Sequence, residues 1–368
     1  MHADLSPGKV VDNKWKIVRK IGQGGFGAVY SVANINDSGE TGAMKVEIVK
    51  GTADAEDQCR AMVMAMELAV LKRLKGKDHV CNLLDHGKTD IFNYVVMTLV
   101  GKNLADLRRS MKKGRFGLST SYRLAHHCAL GIQEVHSIGF LHRDIKPSNY
   151  AYHVHPSGMK TVYLLDFGLA RQYLDRSGKV RRQRTAAGFR GTLKYASIVC
   201  HRLKDMGRVD DFWSWFYMVV EFFHGTLPWS KLADRESVGK SKEKTKPETL
   251  LRGSAHSLKP VYDHLTELKY ADEPDYKLIL NTIQLRLDQL GVNLQENYDW
   301  EKWALTVPSK LALPMPAVPS TGSPISRPTP AGITPTVLTG TTSGTAPSTG
   351  KTPSPKKLHF PFFRQALK

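Results

Sequence analysis

The spacing of apolar positions divides the chain into a strand-rich start, a helical middle and a polar end. Residues 15–21, 29–33 and 43–49 are short runs rich in β-branched and aromatic residues. Clusters of Gly, Asn and Asp part them, and they predict strands. Residues 57–75 predict one long helix, because Met62, Met66, Ala69, Val70 and Leu74 recur at steps of three and four. Another strand is expected at 93–99. Past Gly101 the pattern turns helical, with helices expected at 104–112, 119–138, 210–223 and 275–290. Pro274 and Gly291 bracket the last of these, as helix starts and ends favour. The result is an α+β chain of two lobes: a small β-rich lobe with one long helix, then a larger, mainly helical lobe.

Composition changes where the pattern stops. From Val307 to Lys368, Pro, Ser, Thr and Gly dominate, and there is no Asp or Glu. Such a segment buries too little apolar surface to offset its ordering entropy, so 306–368 is expected to be a disordered basic tail. Residues 1–14 read as an N-terminal extension and 15–305 as the folded domain, its lobes meeting near residue 100. With 41% hydrophobic residues the domain can bury a sizeable core. The net charge of +19 implies acidic partners: nucleic acid, phosphoprotein, acidic peptide or anionic membrane. The four cysteines show neither CxxC pairs nor metal spacing. No apolar run reaches the length of a membrane span, and residues 1–14 lack the apolar core of a signal sequence. The expectation is a soluble, intracellular protein without membrane insertion, cytoplasmic first and nuclear as the alternative.

Candidate chemistry begins at residues 21–29, Ile-Gly-Gln-Gly-Gly-Phe-Gly-Ala-Val, where Gly22, Gly24 and Gly27 have G-x-G-x-x-G spacing. Alone, this fits a dinucleotide-binding turn, a lid over phosphates or a plain glycine-rich hairpin. A dinucleotide-binding turn must open a helix. Here the strand-like Ala-Val-Tyr-Ser-Val follows, which suits a hairpin whose amides cover phosphates. Lys45 lies in an apolar strand, either on a solvated face or as the partner of Glu67. Glu67 is the only acid between Gln58 and Lys75, and a buried carboxylate needs a partner. Their pair would hold Lys45 toward phosphates. In His142-Arg-Asp-Ile-Lys-Pro-Ser-Asn149, Asp144 can orient an attacking hydroxyl, Lys146 can stabilise a transferring phosphoryl, and Asn149 can ligate magnesium. Asp166-Phe-Gly168 follows an apolar run and offers a second, charged metal ligand.

Together these motifs resemble the eukaryotic protein kinases, over residues 15–303. The resemblance implies the bilobal protein-kinase fold, ATP and Mg2+ as cofactors, and transfer of the γ-phosphoryl to serine or threonine of protein substrates. It assigns Ile21, Gly22, Gly24, Gly27, Val29, Lys45 and Glu67 to the nucleotide, with Met97 as gatekeeper and Thr98, Leu99 and Val100 as the hinge that binds adenine. It assigns Asn149 and Asp166 to the metal, and Asp144, Lys146 and Thr192 to catalysis, with Asp211 bracing the catalytic-loop backbone. Where many kinases carry Ala-Pro-Glu, this chain has Gly191-Thr-Leu-Lys-Tyr-Ala-Ser-Ile198. That stretch is similar to the casein kinase 1 group, as are Asp210-Asp211 and Gly225-Thr-Leu-Pro-Trp229. Within the group, residues 101–109 and 75–81 resemble the tau-tubulin kinases. The Glu of the usual motif pairs with an Arg of the large lobe, a pair that cannot be carried over here.

Charge bears on substrates. Arg176, Lys179, Arg181, Arg182, Arg184, Arg190 and Lys194 lie on the lip of the expected substrate cleft, and Lys240, Lys242, Lys244 and Lys246 form a second basic run. Both read either as solvated faces or as a groove for acidic or phospho-primed substrates, tubulin- or tau-like ones included. The resemblance places an anion site at Lys194 and Gly225. It also suggests activity without the activation-loop phosphate that Arg143 could bind at Thr185 or Ser177. A monomer is expected. The competing reading is a weak or inactive kinase-fold scaffold that binds acidic partners such as tubulin or nucleic acid. Lys45, Asp144 and Asp166, the residues such scaffolds lose, are all present. Nucleic acid is not expected, because zinc spacing, a recognition helix and RNA-binding aromatic motifs are missing. In the tail, five Ser-Pro or Thr-Pro pairs read as phosphorylation sites or spacer, and His359-Phe-Pro-Phe-Phe363 as a docking motif, a contact folding back on the body, or a cluster without a role.

Overall fold

The computed structural model describes residues 5–24, 27–48 and 55–306. The tail, with its Ser-Pro and Thr-Pro pairs and its Phe-rich end, lies outside them. Strands β1 (Val10–Val11), β2 (Trp15–Gly24), β3 (Gly27–Asn34), β4 (Thr41–Ile48), β5 (Leu83–Lys88) and β6 (Phe92–Thr98) form one antiparallel sheet, ordered β1-β2-β3-β4-β6-β5. Side chains alternate between its faces. Tyr30 pairs with Met44 and Met44 with Val96, all buried with Trp15, Ile17, Val32 and Val46 in the small-lobe core. Lys45, one residue out of phase, pairs with Val29 and Val95 on the opposite face. Leu5 and Val11 are buried in the same core, so the stretch read as an extension contributes packing to the lobe.

Helix α1 (Ala55–Arg73) matches the expected long helix and buries part of the expected stripe: Val70 and, just past its end, Leu74 are in the core, and Met66 packs against it. Met62 is 65% exposed and Ala69 is exposed, while Met64, Glu67, Val70 and Leu71 face inward. Apolar residues surround this helix, so spacing fits several phases. The phase adopted turns Glu67 toward Lys45.

The large lobe holds α2 (Leu104–Ser110), α3 (Leu118–Ser137), α4 (Ile198–His201), α5 (Arg208–His224), α6 (Arg235–Lys244), α7 (Pro247–Leu250), α8 (Lys259–Glu267), α9 (Tyr276–Gln289) and α10 (Asp299–Thr306). Four short strands, β7 (Phe140–Leu141), β8 (Tyr150–Val154), β9 (Lys160–Leu164) and β10 (Arg171–Gln172), pair β7 with β10 and β8 with β9. Helix α5 is apolar almost all round and buried, as a central helix must be. Its Trp215, Phe216, Met218, Val219 and Phe222 pack with Leu124, Cys128 and Ile132 of α3. Helix α9 starts one residue later than expected, because Asp275 is its cap and accepts from the Leu278 N–H at 2.8 Å. Among the described residues no helix is long and apolar enough to cross a membrane. Cys81, Cys128 and Cys200 are buried free thiols.

Candidate active site

The glycine-rich hairpin closes where Gly24 pairs with Gly27 across β2 and β3. Gly27 has φ +136°, and a Cβ there would run into the Val46 carbonyl, so the turn requires glycine. Ile21 is partly exposed at the end of β2, and Val29 lies on the face of Lys45. Lys45 Nζ donates to Glu67 Oε2 at 2.5 Å and lies 3.6 Å from Asp166 Oδ1. Burial works against the ammonium, but the Glu67 and Asp166 carboxylates outweigh it and hold Lys45 above its usual range. Burial would likewise raise Asp166, and the charge of Lys45 instead holds it below the carboxylate range. Residues from β4, α1 and the turn after β9 therefore meet at one centre, where burial raises the Glu67 carboxyl and the Lys45 charge opposes that rise.

A second centre forms on the loop between β7 and β8. Asp211, near the start of α5, accepts from the His142 and Arg143 N–H groups, both at 2.8 Å. His136 Nε2 lies 3.0 Å from the same carboxylate. Burial would raise Asp211, but the His136 hydrogen bond and charge hold it low. His142 Nδ1 accepts from the Asp144 N–H at 3.2 Å, which puts its proton on Nε2, 3.0 Å from the Leu165 carbonyl. The same histidine thus ties the catalytic loop to the residue before Asp166. At the tip, Thr192 Oγ1 donates to Asp144 Oδ1 at 2.8 Å and Lys146 Nζ to Oδ2 at 2.5 Å. Asn149 Nδ2 donates to the Asp144 carbonyl at 3.0 Å, leaving its own oxygen for another partner. Gly191, at φ +87°, lets the chain cross the loop closely: a Cβ there would sit 2.6 Å from the Arg143 carbonyl.

Between the lobes, the Thr98 N–H donates to the Asn82 carbonyl at 3.0 Å and the Gly101 N–H to Tyr152 at 2.9 Å. The backbone groups of Leu99 and Val100 between them form no hydrogen bond among the described residues. Met97 precedes this stretch at the end of β6, half-buried against the large-lobe core.

This geometry agrees with comparisons to known proteins, in which residues 15–283 match the protein kinase domain. The chain belongs to the protein kinase family. The kinase is 40% identical over 297 residues to a probable serine/threonine-protein kinase of Dictyostelium discoideum, a match covering 81% of this chain and 58% of that protein. It thus spans under two thirds of that relative's length. It is 33% identical to serine/threonine-protein kinase spe-6 of Caenorhabditis elegans, over 79% of this chain and 76% of that protein. A Caenorhabditis elegans protein named as a candidate casein kinase I is 32% identical, with coverage of 81% and 86%. The family uses ATP and a divalent metal, and the residues present fit both. Leu99 and Val100 leave backbone groups unspent, and Asn149 and Asp166 offer the hard oxygens such a metal takes.

The two residues of the expected anion site meet at Glu221. Lys194 Nζ is ion-paired with its carboxylate, and the Gly225 N–H donates to its carbonyl at 2.8 Å. Glu221 is fully buried and also takes Arg108 Nη2 at 3.3 Å and the Tyr195 hydroxyl at 2.6 Å. Of the basic lip, Arg176, Lys179 and Arg182 are exposed, whereas Arg184 is paired with Asp205. The second basic run does not hold as one face. Lys240, Lys244 and Lys246 are exposed, but Lys242 is 4% exposed and points into the protein, because it lies four residues after buried Val238 on α6. Asp205 and Lys242 carry structural work that the sequence reading missed. For Lys242 the only signal was that helical spacing from Val238.

Proposed function

We propose that this chain transfers the γ-phosphoryl of ATP to serine or threonine hydroxyls of acidic or phosphorylated protein segments, and that it falls in the casein kinase 1 group beside the tau-tubulin kinases. The observation that carries the reading is the pair of centres, Lys45–Glu67–Asp166 and Asp144–Lys146–Thr192, joined through His142. Lys45 would bind the α- and β-phosphates, and Leu99 and Val100 the adenine edge. Magnesium, with Asn149 and Asp166 as ligands, would neutralise charge on the phosphates. Asp144 would orient the substrate hydroxyl and take its proton as oxygen bonds to the γ-phosphorus and the bond to the β-phosphate oxygen breaks. Lys146 would balance charge on the transferred group, and Thr192 would hold Asp144 in line with it.

Arg176, Lys179 and Arg182, free on the cleft lip, support the acidic preference. The segment 191–198 and the relative named as a candidate casein kinase I support the group. The test is incorporation of labelled phosphate from ATP into casein, tubulin and tau-like substrates by wild type and Asp144→Asn. Transfer by the wild type that falls on the order of 10²–10⁴-fold in the variant supports the reading. Equal labelling by both overturns it.

A further inference from the structure

The segment after Thr192 turns its amides inward and its carbonyls outward. The Tyr195 and Ala196 N–H groups both donate to the Thr192 carbonyl, at 3.0 and 2.9 Å. That leaves the carbonyls of Leu193, Lys194 and Ala196 facing α6 and the turn before it. All three are met by side-chain donors. Trp229 Nε1 donates to the Lys194 carbonyl at 2.8 Å. Lys242 Nζ donates to both of the others, to Leu193 at 2.9 Å, a carbonyl that His201 Nε2 also approaches at 3.1 Å, and to Ala196 at 2.6 Å. It also lies 3.2 Å from His201 Nε2 and about 5 Å over the rings of Tyr217 and Trp229.

Among the described residues no carboxylate pairs with Lys242. A buried ammonium or amine without a counter-charge is costly. Its stem could have been apolar at no loss of packing, so what the nitrogen adds is its bonds to two carbonyls of one segment. That segment begins at the residue bonded to Asp144. A substrate chain beside Asp144 would lie against the far side of this segment.

We propose that Lys242 is a positioning residue for protein substrate: it fixes residues 193–196 from below, in place of the acid–arginine pair that the missing Ala-Pro-Glu motif would have supplied. This rests on the kinase reading above. Lys242 touches neither nucleotide nor reacting atoms, so its loss should act on peptide use and leave nucleotide binding in place.

The full chain is compared as wild type, Lys242→Gln and Lys242→Arg. Steady-state kinetics use an acidic serine peptide and ATP, and amide hydrogen exchange follows residues 193–201. For Lys242→Gln the peptide KM should rise about tenfold, a loss of about 1.4 kcal/mol, with the ATP KM within about twofold. Exchange at 195–196 should quicken while the centre of α5 stays protected. Lys242→Arg, which keeps donors, should recover part of both effects, and it serves as the folded variant should Lys242→Gln not fold. An unchanged peptide KM with unchanged exchange overturns the proposal, as does a parallel rise in both KM values. A wild type that phosphorylates nothing would refute the kinase reading instead, and the exchange comparison would still decide the role of Lys242.

Discussion

Asp205 grips Arg184 at two points, accepting from Nε at 3.0 Å and from Nη2 at 2.9 Å. The carboxylate is 2% exposed and also lies 3.7 Å from Arg171. Arg143 sits nearby, pulled down to about 10 by burial and then by the positive charge of Arg171, Arg184 and Arg190, with Asp211 opposing. Two further links accompany the grip, from the Gln183 side-chain Nε2 to the Asp205 carbonyl and from the Ala187 N–H to the Leu203 carbonyl. Asp205 thus supplies negative charge to this arginine cluster, and we expect the cluster to need no phosphate on Thr185. Asp205→Asn should lower kcat/KM about tenfold or more, since it leaves guanidinium groups without a counter-charge, whereas Thr185→Ala should stay within about twofold of wild type. Kinetics on both variants, with mass spectrometry of residue 185, check this. Loss of activity in Thr185→Ala would show that the phosphate, not Asp205, sets the segment.

The Lys45–Glu67 pair makes a prediction about pH. Lys45 sits above its ordinary range only because Glu67 and Asp166 overcome burial. In Glu67→Gln the largest attraction is gone and burial gains, so Lys45 should shed its proton at a lower pH than in wild type. Activity should fall on the order of tenfold or more at neutral pH, as ion pairing no longer positions the amine. The alkaline limb of the pH–rate profile should also move down. A profile that keeps its alkaline limb would mean that Asp166 alone holds the charge on Lys45.

Much of this site was legible in the sequence, because its residues sit in short motifs whose order survives folding. The lone acid between Gln58 and Lys75 gave Lys45 its partner, and the spacing of Asp144, Lys146 and Asn149 put them on one loop. The phase of α1 was legible only in part: Met66, Val70 and Leu74 turn inward as their spacing implied, while Met62 and Ala69 face out, since Met and Ala cover several sides of the helix. Strand β5 was missed because Leu-Leu-Asp-His-Gly-Lys has neither alternation nor branched residues, and only pairing with β6 makes it a strand. Lys242 looked like its exposed neighbours, since a basic run has no visible inside until α6 packs against α4 and α5. The same holds for Lys194, whose partner Glu221 lies in the last turn of an apolar helix.

Lys194 and Glu221 answer separately to mutation. Glu221→Gln leaves Arg108 and Lys194 without their shared counter-charge, and breaking a buried pair from one side costs about 3–5 kcal/mol. Its thermal midpoint should therefore fall by several degrees. Lys194→Ala removes the more exposed cation and leaves Arg108 in place, so its midpoint should change little. We expect Lys194→Ala to weaken use of phospho-primed peptides more than unprimed ones. Melting curves of both variants and kinetics on a matched peptide pair test this. Equal losses on the two peptides would take Lys194 out of anion recognition and leave it a brace for Glu221.

The burial of Lys242 also makes stability depend on pH. Desolvation lowers it from the ordinary 10.5 to about 7, and the ionisable groups facing it are Cys200, His201 and Tyr217. Between these two values the unfolded chain holds a proton that the folded chain has released. Stability should therefore rise with pH across that window and be least at or below pH 7. The slope from this one group is at most about 1.4 kcal/mol per pH unit. Lys242→Met has no such proton, so the unfolding free energy of wild type should gain on that of the variant between pH 7 and pH 9. Urea unfolding of both proteins at several pH values measures the gap, in which the titration of other groups cancels. A gap that stays constant would mean that Lys242 keeps its proton when folded, held by the two carbonyls and the aromatic faces rather than neutralised by burial.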